Sequence, residues 1–390
     1  MSSLIIDKLS VMSPAKVAFY TEYPYFFGGR LFDGHRRPGS YPSQPFRALK
    51  KILESRGWIV LTYDQIHKKS SLDVIIFLDL PKSPREVRSV RSACPKATLI
   101  LYILESPAHH PGQFSVRNYD CFDYVITYNK SLEDNRKIFY CPIPFDDLSD
   151  DGDLSWITPW NKRRVLTVVS GRKKAGFFVD SGSGYLHRFG VRGLGEPWHT
   201  PFPRLLTQWN GYQYDLRNKL VHELDVCLGF SSIFDVYGNG WNGEPIGYWE
   251  RFVKGPPSIA ASKGAYNGDK LKLLSGYRYT LVIENWIGSE CYLSEKLFEA
   301  LSAGCIPIYW GDRSVSSLLP DEVFINGSRF CSARDIINFL HRETREEWSK
   351  RLSAINHFKN SQIYKTRSPE GFAKKFVVIL NNILNPESSK

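Results

Sequence analysis

The chain has 390 residues, of which 42% are hydrophobic and 23% are charged. This length exceeds what one hydrophobic core usually organises, and the composition excludes wholesale disorder, so we expect two folded domains. The net charge of +11 favours a partner that carries phosphate: a nucleic acid, an anionic membrane surface or a nucleotide diphosphate. Because the 51 Lys and Arg residues are scattered and form no dense tracts, nucleic acid is disfavoured.

The cysteines and the N-terminal residues indicate the cellular compartment in which we expect the protein. The seven cysteines are widely spaced and contain no CxxC, so the sequence predicts neither a disulfide framework nor a zinc module. No window near the N-terminus approaches the ~18 to 20 apolar residues that span a bilayer. We therefore predict a soluble, cytoplasmic protein without a transmembrane segment.

Short apolar runs alternate with helical patterns along the chain, which is typical of parallel α/β sheets. In the first third, strands are predicted at residues 16–20, 58–63, 73–80, 97–104 and 122–128, and helices at 45–56 and 83–92. The acidic stretch 146–153 interrupts this alternation and predicts an exposed linker. The alternation resumes with strands at 163–170 and 233–238 and a helix at 214–224.

These elements predict an α/β protein with two doubly wound domains. We place the first at residues 1–150 and the second at 151–365. The last helical pattern, at 369–384, lies in a segment 366–390 that we expect to pack back on the first domain. Residues 171–211 have no clear period, and a loop of that length is uncommon unless it is functional or disordered.

The most informative segment runs from residue 277 to residue 312. A buried strand delivers Glu284 and Asn285 to its carboxyl end, where ligands bind in open α/β sheets. Ser294 is placed to cap a helix whose first turn holds Glu295 and Lys296. The free N–H groups of the helix start, together with the lysine charge, can hold a phosphate without a metal. An isolated Ser-Glu-Lys would more often be solvated, but the complete strand, cap, helix and strand unit favours a diphosphate site.

The same segment resembles the donor motif of the α1,3/4-fucosyltransferases, which transfer fucose from GDP-fucose. The family reads Phe/Ile-Glu-Asn-Ser, Tyr-Val-Thr-Glu-Lys, Ala-Leu-x-Ala-Gly and Pro-Ile/Val-x-x-Gly, and this chain reads Ile-Glu-Asn-Trp, Tyr-Leu-Ser-Glu-Lys, Ala-Leu-Ser-Ala-Gly and Pro-Ile-Tyr-Trp-Gly. Residues 104–112 resemble the family's Glu-Ser-Pro-x-His-x-Pro-Gly segment. Residues 216–224 and 234–241 resemble its helix with a phosphate-binding Arg and the following strand.

The resemblance implies the GT-B architecture, in which two Rossmann-like domains face a cleft that holds acceptor on one side and GDP-fucose on the other. It makes Glu105 the catalytic base and His109 and His110 candidate acceptor-side contacts. The implied donor-binding residues are Arg217, Asn285, Tyr292, Glu295 and Lys296. Of these, Arg217 and Lys296 are the pyrophosphate ligands, and Glu295 contacts the donor sugar or the ribose.

The implied chemistry is inverting transfer to an acceptor oligosaccharide or glycoconjugate. A carboxylate takes the proton of the acceptor hydroxyl, and fixed cations stabilise the charge that grows on the departing diphosphate. No metal is strictly required, although a divalent cation can stimulate transfer. Asp151-Gly-Asp153 matches the Asp-x-Asp string of metal-dependent transferases, but its acidic surroundings favour a solvated linker.

One departure from the family leaves alternatives open. Trp286 stands where the family has Ser, so the donor class is better defined than the donor itself. A transferase that uses another nucleotide sugar is the first alternative, and a non-catalytic glycan or nucleotide binder is the second. A nucleic-acid-binding protein is disfavoured because the sequence contains no recognised module of that kind.

Overall fold

The computed structural model describes residues 14–34, 42–67, 71–106, 111–148, 158–173, 213–229, 231–243, 258–288 and 292–385. Within these ranges the chain forms two parallel sheets with helices around them, and the predicted α/β fold class is confirmed. The predicted acceptor-side residues His109 and His110 lie outside the described residues. The Asp-x-Asp string at 151–153 and nearly all of the 171–211 segment also lie outside them.

The first sheet has six parallel strands in the order β2-β1-β3-β4-β5-β6. Its strands are β1 (Lys16–Tyr20), β2 (Ile59–Thr62), β3 (Val74–Leu78), β4 (Thr98–Ile103), β5 (Tyr124–Thr127) and β6 (Ile138–Tyr140). Its helices are α1 (Gln44–Glu54) and α2 (Pro84–Ala93). The central strand β3 reads Val-Ile-Ile-Phe-Leu and is buried throughout, because helices cover both faces of a parallel sheet.

The second sheet has five parallel strands in the order β11-β10-β9-β7-β8. Its strands are β7 (Arg164–Val169), β8 (Phe234–Tyr237), β9 (Tyr277–Ile283), β10 (Ile306–Trp310) and β11 (Ile325–Asn326). When the strands are numbered separately within each domain, the first five strands of the first sheet and the five strands of the second sheet lie side by side in the order 2-1-3-4-5. Each sheet therefore has a topological switch point between its first and third strands, where doubly wound folds bind ligands.

In the described part of the second domain, seven helices connect or flank these strands. They are α3 (Tyr214–Leu228), α4 (Lys270–Ser275), α5 (Glu295–Ser302), α6 (Val315–Leu318), α7 (Ala333–Arg342), α8 (Arg345–Phe358) and α9 (Gln362–Arg367). The Ser294 hydroxyl accepts a hydrogen bond from the backbone N–H of Lys296, so the predicted start of α5 is confirmed. Helix α3 extends four residues past its predicted end, because Leu228 still packs on the core.

The last helix, α10 (Pro369–Leu384), returns to the first domain and packs along α1. The ring of Phe372 lies 5.7 Å from that of Phe46, and the ring of Phe376 lies 5.2 Å from that of Tyr102. These aromatic contacts make α10 part of the core of the first domain. Within the described part of the chain, no helix combines the length and the hydropathy needed to cross a membrane.

The start of the acidic stretch 146–153 is buried, so the prediction of an exposed linker is wrong for Asp146 and Asp147. Asp146 accepts a hydrogen bond from the backbone N–H of Gln44 at 2.9 Å. Asp147 accepts hydrogen bonds from the hydroxyl groups of Ser302 and Tyr364, at 2.6 and 3.1 Å. A buried carboxylate needs such partners, and here they come from segments distant in sequence. The segment by which the chain passes from the first domain to the second is therefore hydrogen-bonded to both domains.

Candidate active site in the interdomain cleft

A cleft of about 400 Å³ lies between the two domains, at the carboxyl ends of both sheets. The first domain contributes Glu105, which follows β4, and the second contributes residues after β7 and at the start of α5. The charged side chains among the described lining residues are Arg172, Lys173, Lys270, Lys296, Glu105 and Glu295. Four cations against two carboxylates give the cleft a positive excess, which suits an anionic ligand.

Glu105 is positioned by Asp79, a buried residue that follows β3. The backbone N–H groups of Leu104 and Glu105 donate to Oδ1 of Asp79 at 2.8 and 3.0 Å. Asp79 itself has a φ of 64°, a left-handed conformation that Asp tolerates better than most residues. Sequence reasoning missed Asp79, although its place after a wholly apolar strand was a usable signal.

The environment of Glu105 shifts its acidity towards neutrality. Burial and the neighbouring Asp79 carboxylate raise the pKa of Glu105 to about 7, while Lys173 and Lys296 oppose the rise. A general base is most effective when its pKa lies near the operating pH. Glu105 therefore has the acidity that a proton acceptor at neutral pH requires.

The start of α5 is fixed by Glu284, which is fully buried at the end of β9. The Glu284 carboxylate accepts two hydrogen bonds from Ser294, one from its backbone N–H at 3.0 Å and one from its hydroxyl group at 2.6 Å. Burial raises the pKa of the Glu284 carboxyl, against the opposing effect of Lys296. Glu284 thus holds the helix start in place from the core side, and Glu295 and Lys296, which follow the capping residue, line the cleft.

Lys296 and Glu295 lie side by side in the first turn of α5, with Nζ 3.3 Å from Oε1. Burial lowers the pKa of Lys296, but the Glu295 and Glu284 carboxylates outweigh this effect and raise it. Burial raises the pKa of Glu295, but the opposite effect of the Lys296 and Lys270 charges is larger, so the pKa of Glu295 is lowered overall. Both side chains are therefore charged at neutral pH. An ammonium beside a helix N-terminus is suited to bind phosphate.

Arg217 lies behind the cleft and lines a smaller cavity of about 20 Å³ together with Lys296. Its Nη2 donates to the backbone oxygen of Ile283 at 2.8 Å and to Oδ1 of Asn285 at 2.9 Å. Its Nη1 donates to the backbone oxygen of Gly171 at 3.4 Å. The buried guanidinium therefore joins the ends of β7 and β9 at the switch point. Its predicted contact with pyrophosphate stays a prediction.

Tyr292 and Trp286 pack in an apolar cluster that includes core residues of the first domain. The Tyr292 ring lies 5.1 Å from that of Tyr128, and Tyr292 also lines the cleft. Trp286, the residue that departs from the family motif, is buried in the same cluster as Tyr214 and Tyr292. The larger side chain thus contributes to the contact between the two domains.

The loop after β7 supplies cleft residues that sequence reasoning did not single out. The backbone N–H of Arg172 donates to the oxygen of Asn239 at 2.9 Å. Gly238, before Asn239, has a φ of 146°, and a Cβ there would lie 2.5 Å from the backbone oxygen of Ser170. Only glycine permits so close an approach of the two strand ends. The signal was present in the sequence, since Gly-Arg-Lys follows a buried strand directly.

Potential metal ligands do not converge in the described ranges, where no group of three or more His, Cys, Asp or Glu side chains is arranged to hold an ion. The positive charge at the cleft comes from side chains and from the N-terminus of α5. The predicted stimulation by a divalent cation stays a prediction.

The two doubly wound domains and their cationic cleft define the GT-B class of architecture, which is common among nucleotide-sugar-dependent transferases. Residues 208–371 match the model of glycosyltransferase family 10 (fucosyltransferase), C-terminal part. The match covers less than half of the chain, and over this segment it confirms the resemblance to fucosyltransferases predicted from the sequence.

Two relatives are similar to short segments of the chain, and one solved structure aligns with it along most of its length. The chain is 39% identical over 69 residues to an α-(1,4)-fucosyltransferase of Arabidopsis thaliana, covering 18% of this chain and 17% of the relative. It is 27% identical over 96 residues to GDP-fucose protein O-fucosyltransferase 3 of Danio rerio, covering 24% and 20%. These matches span about a fifth of the length of either relative. A crystal structure of an α1,3-fucosyltransferase with GDP-fucose aligns over 97% of this chain and 96% of its own, with 15% identity and a TM-score of 0.47.

Proposed function

We propose that this protein transfers L-fucose from GDP-fucose to a hydroxyl of an acceptor glycan in α1,3-type linkage, with inversion at the sugar carbon. The observation that carries the proposal is the arrangement of Glu105 and Lys296. A carboxylate from one domain and a cation at a helix N-terminus of the other line the same cleft. This arrangement supports a proton acceptor on the first domain and a diphosphate site on the second.

In this proposal the donor occupies the second domain. Lys296 and the N–H groups at the start of α5 bind the diphosphate, and Arg217 supports them from the end of β9. Glu295 contacts the sugar or the ribose, and Asn285 and Tyr292 line the same site. The family match and the GDP-fucose named for one relative support GDP-fucose as donor.

The proposed reaction is a single displacement. The Glu105 carboxylate accepts the proton of the acceptor hydroxyl as its oxygen bonds to the anomeric carbon of fucose. The bond from that carbon to the phosphate oxygen breaks, and its electron pair leaves with GDP. Cations already fixed around the diphosphate stabilise this charge without reorganisation. A divalent cation is therefore an optional stimulant in the proposed mechanism.

The first test is calorimetric binding of GDP, UDP and GDP-fucose, each with and without EDTA. We expect GDP to bind in preference to UDP, and we expect EDTA to leave its affinity intact. Lys296→Ala should weaken GDP binding about tenfold or more, because it removes a charge-assisted contact. Lys219→Ala on the exposed face of α3 controls for the loss of one positive charge. Binding of UDP in preference to GDP would contradict the proposed donor.

The second test is transfer to a panel of acceptors that contains both glycans and peptides. The peptides are included because one relative is named a protein O-fucosyltransferase. Glu105→Gln should lose ~10² to 10⁴ in transfer rate while it still binds GDP. Unchanged turnover in this variant would refute the assignment of the base, and transfer to peptides alone would refute a glycan acceptor.

A further inference from the structure

Two aromatic residues, Tyr237 and Tyr266, line the part of the cleft beside the outer strand β8. Tyr237 is the last residue of β8, and Tyr266 lies in the loop that precedes α4. Their rings meet edge-to-face, with centroids 5.8 Å apart and an interplanar angle of 74°. Tyr266 is only partly buried, so part of its ring is available to a molecule in the cleft. The transfer reaction proposed above uses neither ring.

A chain of hydrogen bonds fixes the Tyr237 ring at its hydroxyl end. Asp235 is fully buried, with Oδ2 lying 2.7 Å from Nε of Arg164 and Oδ1 lying 3.4 Å from Nζ of Lys263. An ionised carboxylate can only accept hydrogen bonds, so the Tyr277 hydroxyl donates to Asp235, at 2.5 Å. Because the Tyr277 hydrogen is then used, the Tyr237 hydroxyl donates to the Tyr277 oxygen, at 3.0 Å. The buried carboxylate thus sets the direction of both hydrogen bonds.

The loop that carries Tyr266 is attached to the same strand. Val236 of β8 donates its backbone N–H to Ala261 at 2.9 Å and accepts one from Lys263 at 2.8 Å. A side chain at position 268 would displace the aromatic ring, since a Cβ on Gly268 would lie 2.5 Å from the Tyr266 hydroxyl oxygen. The backbone pairing and the glycine therefore hold the ring in one position relative to β8.

This aromatic wall lies at a suitable distance from the proposed diphosphate site. In the second sheet β7 separates β8 from β9, and neighbouring strands lie about 4.8 Å apart, so the ends of β8 and β9 are about 10 Å from each other. Arg217 and Lys296, the proposed diphosphate ligands, line a common cavity with Ile283 at the end of β9. A ribose spans a separation of this order between a diphosphate and a nucleobase.

We propose that the guanine base of the donor stacks on Tyr266, and that the hydrogen-bonded chain from Asp235 through Tyr277 to Tyr237 positions this platform. The inference rests on the proposed function, because it takes GDP as the ligand of the cleft. Planar bases stack favourably on aromatic rings, and the orientation of the ring decides how much of the base overlaps with it. The aromatic wall therefore binds the base, while the cations of the cleft bind the diphosphate.

The test separates the two parts of the ligand by comparing GDP with inorganic pyrophosphate, which has no base. Calorimetry gives the affinity of wild type and of each variant for both ligands, and thermal unfolding shows whether each variant is folded. We expect Tyr266→Ala to bind GDP about tenfold more weakly than wild type and to bind pyrophosphate equally well. Gly268→Ala, which displaces the ring, should change in the same direction. Tyr266→Phe keeps the ring and should bind both ligands as wild type does, whereas Lys296→Ala should weaken the binding of both.

The hydrogen-bonded chain is tested at its middle residue. Tyr277→Phe keeps the ring but removes the hydroxyl group, so the Tyr237 hydroxyl loses its acceptor. We expect this variant to bind GDP about three- to tenfold more weakly and to bind pyrophosphate as wild type does. Tyr279→Phe in the same strand is the matched control, because Tyr279 packs in the core of the second domain and its hydroxyl donates to Glu343 at 2.9 Å. Its affinity for GDP should equal that of wild type.

Three results would overturn the inference while the proposed function stands. Wild-type affinity for GDP in Tyr266→Ala would show that the base does not stack on this ring. An equal loss of GDP and pyrophosphate binding in that variant would show that the ring shapes the diphosphate site instead. Equal GDP affinity of Tyr277→Phe and Tyr279→Phe would show that the chain does not position the platform. Failure of wild type to bind GDP would overturn the proposed function and this inference together.

Discussion

Asp79 acts on Glu105 in two ways: its Oδ1 accepts the Glu105 backbone N–H at 3.0 Å, and its charge raises the pKa of the Glu105 side chain. One buried residue at the end of β3 thus fixes the position of the proposed base at the end of β4 and adds to the effect of burial on its pKa. Because these two effects have different chemical origins, different substitutions of Asp79 can separate them.

Asp79→Asn should keep the position of Glu105 and change its acidity. Asn retains an acceptor oxygen and tolerates the left-handed conformation, but it carries no charge. We expect the pKa of Glu105 to fall below its value of about 7, which moves the acid limb of the pH–rate profile to lower pH. Asp79→Ala should instead cost about 1 to 3 kcal/mol of stability, since two buried N–H groups lose their acceptor. If the acid limb of the pH–rate profile is the same in the Asn variant and in wild type, the Asp79 charge does not affect the pKa of Glu105.

Glu105→Gln should stabilise the protein at alkaline pH. The pKa of Glu105 rises from 4.5 to about 7 on folding, so between these values the native state binds more protons than the unfolded state. Stability therefore falls as the pH rises through this window, and the loss is complete above pH 7. We expect the variant to exceed wild type by on the order of 2 kcal/mol at pH 8 and to match it at pH 4. Urea unfolding at both pH values measures this, with the exposed Glu370→Gln as control.

Ser294→Ala should weaken both the fold and the donor site. It removes the cap of α5 and one hydrogen bond to the buried Glu284 carboxylate, at a cost of about 1 to 3 kcal/mol. It also removes the hydroxyl that lies 3.2 Å from Nζ of Lys296, so GDP affinity should fall. Ser294→Thr keeps the hydroxyl and should resemble wild type in unfolding and in GDP calorimetry. Equal stability of the Ala and Thr variants would argue against the capping role.

Arg217→Lys should lower stability as well as GDP affinity. A lysine cannot make the separate contacts of the guanidinium with Gly171, Ile283 and Asn285, so the ends of β7 and β9 lose a shared tie. We expect a loss of about 1 to 3 kcal/mol in chemical unfolding, larger than the loss in Lys296→Ala. Unchanged stability with impaired GDP binding would show instead that Arg217 serves the ligand and not the fold.

Much of the fold could be predicted because its signals are local. Apolar runs bounded by turn residues predicted most strands to within two residues, and the Ser294 cap predicted the start of α5. Strands β6 and β11 were missed because three and two residues are too short to establish a period. The motif residues Glu284 to Lys296 were predicted as one site because a strand, a cap and a helix place them together within a short stretch of chain.

The sequence by itself determined the two-sheet architecture, the helix start that favours an anion, and the family resemblance, since periodicity, capping and motifs depend on neighbouring residues. Only the tertiary structure decided which charged groups are buried and what neutralises them. Arg217 donates a hydrogen bond to Ile283, which is 66 residues away in the sequence, and Asp147 accepts one from Ser302, which is 155 residues away. The interaction of Glu105 with Asp79 and Lys173 has the same character. The energy of a buried charge depends on partners that the fold brings together, and no local pattern encodes them.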